Sequence, residues 1–151
     1  MSGGSTLASP VSEGQTGPMA EVAVLVVDDQ RPFRLAAKAT LARTPGFTMV
    51  GEAADGSEAV EAVAVCGADL VLMDVKMPLM DGIDATRAVL AARPETVVFL
   101  CSTYQLEELP AEARTSGARA YINKEDLSPQ LLVRLWAAAT SPESAEGLLT
   151  G

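Results

Sequence analysis

The segment LVLMDVKMPLMDG, residues 70–82, places an aspartate at the end of an almost unbroken apolar run. A carboxylate so close to a hydrophobic core is costly unless another group pairs with it. Polar residues follow other apolar runs in the same way. The set comprises Asp28 and Asp29 after VAVLVV, Asp74 after DLVLM, Ser102 after TVVFLC and Lys124 after ARAYI. These residue types predict a site of carboxylate chemistry.

Three carboxylates brought together repel one another, so the set implies a cation between them. Magnesium prefers oxygen ligands and keeps several waters, which suits two carboxylates and one backbone carbonyl. We expect Asp29 and Asp74 to be direct ligands and Asp28 to act through water. Lys76, two residues beyond Asp74, is included in the predicted metal set.

A carboxylate can also attack phosphorus and form an aspartyl phosphate. The negative charge that develops in such a transfer is stabilised by a metal, a hydroxyl donor and an ammonium. The sequence offers each of these groups, with Asp74 as the nucleophile and with Ser102 and Lys124 on the side opposite magnesium. The predicted chemistry is therefore phosphoryl transfer to Asp74.

Short β-branched runs alternate with segments of helical periodicity, which is typical of an α/β fold. Helix signals include the possible capping box of Asp55 and Glu58, and Ser128 followed by Pro129. Pro110 and Gly117 leave room for only a short fourth helix. Five strands and five helices predict a doubly wound parallel sheet, whose carboxyl edge gathers the polar residues. The predicted strands are 22–27, 47–53, 69–73, 96–101 and 118–122.

Composition limits the classes of function. The chain has 151 residues, a formal net charge of −9 and no histidine, which argues against nucleic-acid binding and histidine-based catalysis. We predict one domain over residues 21–139, a flexible tail over 1–20, and a flexible tail or truncated linker over 140–151. Cys66 and Cys101 are interpreted as reduced core residues. No membrane span or signal peptide is evident, so a cytoplasmic location is predicted.

Four segments together resemble the receiver domain of bacterial two-component response regulators, in the CheY-like superfamily. They are VLVVDDQRPFR, LVLMDVKMPLMDG, VVFLCSTY and GARAYINKEDLSP, and the resemblance runs from about residue 21 to 139. It implies a flavodoxin-like sheet in the order 2-1-3-4-5. It also implies that Asp74 accepts a phosphoryl group from a sensor histidine kinase or phosphotransfer protein. Ser102 and Tyr121 would form the switch pair, and the chain would not be an enzyme.

The pattern departs from the family at Glu125, where many receivers have proline, and at Pro110 in the fourth helix. Homodimerisation through helix 4, strand 5 and helix 5 is possible. Two alternatives remain within the receiver interpretation: a fragment of a DNA-binding transcriptional regulator, and an interaction module that is never phosphorylated. A phosphatase is disfavoured because strand 1 ends in VDDQ instead of D-x-D. Tyr104 is expected to shield the phosphoryl group from water.

Overall fold

A computed structural model describes residues 21–142 and 148–150 of the chain. Six strands and five α-helices are present in this part. The strands are β1 (Val22–Val27), β2 (Phe47–Ala53), β3 (Leu70–Asp74), β4 (Val97–Ser102), β5 (Ala120–Asn123) and β6 (Leu149–Thr150). The helices are α1 (Arg31–Ala42), α2 (Gly56–Cys66), α3 (Gly82–Ala92), α4 (Glu112–Thr115) and α5 (Pro129–Ala139). Strands and helices alternate up to α5, as the sequence predicts.

The strands form one parallel sheet in the order β2-β1-β3-β4-β5-β6. The first five have the predicted order, but the prediction of five strands was wrong. Leu149 and Thr150 add a sixth strand beside β5. Two residues are too few to show the alternating pattern of a strand in the sequence. This strand forms because the backbone of β5 is available to pair with it.

Helices cover both faces of the sheet, which explains the unbroken apolar run of β3. Its residues alternate between two hydrophobic clusters. Leu70 and Leu72 pack in the cluster that contains α1 and α5. Val71 and Met73 pack in the cluster that contains α2 and α3. Neither face of β3 meets solvent, so apolar side chains occupy both faces. Asp74, the last residue of the strand, is its only polar residue.

The helix signals of the sequence correspond to real helix ends. Asp55 Oδ1 accepts a hydrogen bond from Glu58 N (2.8 Å), while Glu58 Oε1 accepts one from Ala54 N (2.5 Å). Ser128 Oγ accepts a hydrogen bond from Leu131 N (3.1 Å). The fourth connection consists of a 3-10 turn at 106–108 and the four-residue helix α4, which agrees with the predicted short helix.

The predicted N-terminal tail, residues 1–20, lies outside the described residues, as do 143–147 and 151. Within the described ranges, no helix combines the length and the apolar character that crossing a membrane requires.

Candidate functional site

Acidic residues from β1 and β3 meet a lysine at the carboxyl edge of the sheet. Asp28 and Asp29 follow β1, Asp74 ends β3, and Lys124 follows β5. Lys124 Nζ lies 2.5 Å from Asp28 Oδ2 and 3.1 Å from Asp74 Oδ1. One carboxylate oxygen from each of the three aspartates lies within 4.8 Å of the others. The structure therefore brings together the acidic residues and the lysine that the sequence singled out.

Asp28 is fully buried and only partly satisfied. Its Oδ1 accepts a hydrogen bond from Gln30 N (2.7 Å), and its backbone oxygen accepts one from Arg34 Nη1 (2.6 Å). Arg34 also pairs with Glu52 (2.6 Å), which ties α1 to β2. Asp28 Oδ2 is paired with the ammonium of Lys124 and has no other partner among the described residues. A buried carboxylate oxygen of this kind is matched to a cation, because buried polar atoms are normally paired.

Lys124 is held charged by its surroundings. Burial alone would lower the pKa of its ammonium, but the hydrogen-bonding and charge interactions with Asp28 and Asp74 outweigh burial and raise the pKa above its usual value. Its Nζ also lies 4.5 Å from the ring centroid of Phe33, a cation–π contact. The local sequence does not predict this role for Phe33, because the contact joins two residues that are 91 positions apart in the chain.

The carboxyl group of Asp74 is strained electrostatically. Burial is the largest cause and the charge of Asp28 the next, and they raise the pKa of Asp74 from 3.8 to about 6 despite the opposing charge of Lys124. Asp29 adds to the rise. Three carboxylates and one ammonium leave an excess of negative charge in the cluster. A divalent cation would relieve this repulsion, so the residues present fit Mg²⁺.

This electrostatic strain predicts a pH-dependent gain in stability for Asp74→Asn. The folded native protein binds the Asp74 proton more tightly than the unfolded chain, so this contribution to stability is lost as pH rises from 3.8 to about 6. Asparagine does not titrate. Without divalent metal, the advantage of Asp74→Asn should grow across that range and level off above it, reaching roughly 3 kcal/mol. Urea unfolding in a chelator measures it, and a difference that does not change with pH would contradict this origin.

Gly82, which begins α3 after the loop that follows Asp74, is required by the path of the backbone. A Cβ on Gly82 would lie 2.0 Å from the backbone oxygen of Asp74 and 2.9 Å from Val75 Cα. Gly82 N also donates a hydrogen bond to Val75 O (2.8 Å). Asp81 caps α3 by accepting a hydrogen bond from Asp84 N (2.9 Å). The loop therefore returns directly against Asp74, and this contact explains why glycine follows so closely. The sequence motif contains Gly82, but its close approach to the backbone of Asp74 depends on the tertiary structure.

Ser102 pairs with Asn123, the residue before Lys124, and is connected to Tyr121. Ser102 ends β4 and is buried, and its Oγ accepts a hydrogen bond from Tyr104 N (3.1 Å). The Tyr121 hydroxyl donates to Ser102 O (3.2 Å) and contacts Tyr104 O. The Tyr121 ring is also buried, at 4% exposure. In the predicted switch pair, Ser102 thus belongs to the segment 102–104, and Tyr121 contacts the backbone of that segment.

Two exposed side chains, Lys76 and Tyr104, lie two residues beyond Asp74 and Ser102 in the chain. Lys76 Nζ is 5.4 Å from the ring centroid of Tyr104, a cation–π contact between the β3–α3 loop and the segment after β4.

The neighbouring Cys101 is buried, and burial raises the pKa of its thiol to about 12, so it stays neutral. Cys66 and Cys101 are both free cysteines.

Comparison with known proteins agrees with this fold. The response regulator receiver domain family matches residues 24–135. The chain is 40% identical over 103 residues to the protein-glutamate methylesterase/protein-glutamine glutaminase of Pseudoalteromonas atlantica, covering 68% of this chain and 27% of that protein. It is 40% identical over 112 residues to the transcriptional regulatory protein PdtaR of Mycobacterium tuberculosis, covering 72% and 54%.

A solved structure shows the same architecture. The response regulator domain of Thermotoga maritima CheB superposes with a TM-score of 0.71 at 30% identity, covering 80% of this chain and 98% of that domain. A parallel α/β sheet with an acidic pocket at its carboxyl edge defines the class of signalling receivers. The chain belongs to the response regulator receiver domain family, whose members are phosphorylation switches in two-component signalling.

Proposed function

We propose that this chain accepts a phosphoryl group on Asp74, in a reaction that depends on Mg²⁺, and acts as a phosphorylation switch. The observation that carries the proposal is the placement of the Asp74 carboxylate among two further carboxylates and the ammonium of Lys124. Membership of the receiver family supports the same chemistry. The raised pKa of Asp74 agrees with a site built to work with a cation.

Asp29 and Asp74 would hold the metal directly, Asp28 would contribute through water, and Lys76 would offer its backbone carbonyl. When bound, Mg²⁺ neutralises charge on the phosphoryl oxygens. A carboxylate oxygen of Asp74 attacks phosphorus and forms the new O–P bond. The N–P bond of a phosphohistidine donor breaks, and its electron pair stays with the imidazole. Lys124 and the Ser102 hydroxyl stabilise the oxygens of the transferred group.

The donor is a sensor histidine kinase or a phosphotransfer protein, which also implies a cytoplasmic location. Ser102 and Tyr121 would move towards the phosphoryl group and reshape α4, β5 and α5, the face through which a homodimer could form. The net charge of −9 makes direct nucleic-acid binding by this chain unfavourable. The chain spans between about a quarter and a half of several curated relatives, so the methylesterase or transcriptional activity of those proteins is not assigned to it.

The test is intact-protein mass spectrometry after incubation with acetyl phosphate, with and without Mg²⁺. We expect the native chain to gain one phosphoryl group only when Mg²⁺ is present, and Asp74→Asn to gain none. A solved relative, the CheX–CheY complex of Borrelia burgdorferi, is described with BeF₃ and Mg²⁺ (27% identity, TM-score 0.69), so beryllofluoride is a suitable second probe. If neither acetyl phosphate nor a kinase produces a gain, the unphosphorylated interaction module becomes the preferred interpretation.

Tyr104 should control how long the phosphoryl group persists. The exposed ring contacts Lys76, which lies two residues beyond Asp74 in the chain, and would limit the approach of water to phosphorus. We expect Tyr104→Ala to lose the phosphoryl group roughly tenfold faster, a change of about 1.4 kcal/mol in the barrier. Tyr104→Phe keeps the ring and should match the native chain. Equal rates of phosphoryl loss for the alanine variant and the native chain would contradict this role of Tyr104.

A further inference from the structure

The sixth strand closes an edge that the rest of the sheet leaves open. β5 is the last strand of the predicted fold, and an edge strand exposes backbone groups that attract other strands. Leu149 N donates a hydrogen bond to Arg119 O (2.9 Å). Ala120 pairs with Leu149, and Tyr121 pairs with Thr150, in parallel register. The C-terminal segment therefore occupies the edge of β5 within the same molecule.

Two leucines fix this segment to both faces of the sheet. Leu148 packs against the hydrophobic cluster that contains α2 and α3. Leu149 packs against the cluster that contains α1 and α5. Successive side chains of a strand point to opposite faces, so the pair straddles the edge. The contact is held by side chains and backbone together, although the strand is only two residues long.

The segment is connected to the candidate phosphorylation site through one residue. Thr150 pairs with the backbone of Tyr121, and the hydroxyl of Tyr121 donates to Ser102 O. The same hydroxyl contacts Tyr104 O. A surface pocket of about 210 Å³ is lined by Thr150, Tyr121 and Leu106 among others, so the C-terminal segment, β5 and the turn at 106–108 meet around one open space.

We propose that Leu148–Thr150 is a strap whose pairing with β5 is coupled, through Tyr121, to the segment 102–104. Any change that moves the segment 102–104 alters the pairing of the strap, and loss of the strap loosens the segment, because coupling between two sites is reciprocal. If the proposed function holds, phosphorylation is such a change. The strap would then alter the accessibility of the β5 edge in step with the state of Asp74.

Hydrogen–deuterium exchange of the full chain, without phosphorylation, tests the coupling in one direction. Leu149→Pro removes the N–H that donates to Arg119, whereas Leu149→Ala keeps that N–H. We expect Leu149→Pro to speed exchange in residues 120–123 and also in 102–104, by roughly threefold or more, and Leu149→Ala to have a smaller effect. Unchanged exchange in 102–104, with circular dichroism showing an intact fold, would overturn the coupling.

Tyr121→Phe tests the opposite direction. It removes the hydroxyl that contacts the segment 102–104 but keeps the ring and the backbone. The strap should then exchange faster, and an unchanged rate for residues 148–150 would also overturn the proposal. A third sample, treated with acetyl phosphate, separates the two claims. Its intact mass reports on the proposed function, whereas the two variants decide on the strap whether or not a phosphoryl group is gained.

Discussion

Lys124→Met is expected to destabilise the protein strongly when no divalent metal is present. Methionine keeps much of the length of the side chain and removes its charge. Asp28, fully buried, would lose its ion pair, and Asp74 would lose the cation that partly offsets its neighbours. Breaking a buried pair by removing one partner costs about 3–5 kcal/mol. Urea unfolding in a chelator at neutral pH measures this loss.

Lys38→Met provides a matched control, because Lys38 is an exposed lysine on α1. It should change the free energy of unfolding by less than about 0.5 kcal/mol. Mg²⁺ should restore more stability to Lys124→Met than to the native chain, because metal and ammonium compete for the same carboxylates. A Lys124→Met variant as stable as the control would show that the ion pairs contribute little. A variant that is destabilised but indifferent to Mg²⁺ would contradict a metal site on the same carboxylates.

Gly82→Ala is the second change with a large expected effect. Its Cβ would lie 2.0 Å from the backbone oxygen of Asp74, so the backbone of one of the two segments must move. Overpacking typically costs about 1–3 kcal/mol, and we expect the upper end because no flexible side chain can yield. Asp74 belongs to the displaced backbone, so phosphoryl gain from acetyl phosphate should also fall sharply. Urea unfolding and intact mass report the two effects.

Gly56→Ala is the matched control for this substitution. Gly56 and Gly82 each begin a helix directly after a capping aspartate. A Cβ on Gly56 would meet only side-chain atoms of Met80, the sulfur at 2.9 Å and Cβ and Cγ at 3.0 Å each. A rotamer change can move the sulfur and Cγ, and the contact with Cβ needs only a small shift, whereas Gly82 faces backbone at 2.0 Å. Gly56→Ala should therefore cost clearly less than Gly82→Ala and leave phosphoryl gain intact. Equal losses in both variants would mean that the contact with Asp74 is not the cause.

The predictable part of this protein is the part that the apolar pattern encodes. Both faces of β3 are covered, so its run of apolar residues identified a central strand, and the position of Asp74 at its end followed. Parallel strands deliver their carboxyl ends to one edge, which brought Asp28 and Lys124 to the same site although 95 residues separate them. The predicted parallel topology was therefore enough to place these distant residues at one site.

The contacts that sequence reasoning missed depend on tertiary geometry. Phe33 has the spacing of a core residue, and only the approach of Lys124 gives its ring a second role. Arg34 could not be connected to Asp28 and Glu52 before α1 was placed against β2. The strand formed by Leu149 and Thr150 depends on the edge of β5 rather than on a repeat of its own. Each of these contacts joins elements whose relative placement the local sequence does not encode.

Among the three clustered aspartates, we propose that Asp74 alone carries the phosphoryl group. Borohydride reduces an aspartyl phosphate to homoserine, so tandem mass spectrometry of a digest from the chain treated with acetyl phosphate and Mg²⁺ locates the acceptor. We expect homoserine at position 74, with aspartate unchanged at positions 28 and 29. Homoserine at either of those positions, with Asp74 unmodified, would contradict it.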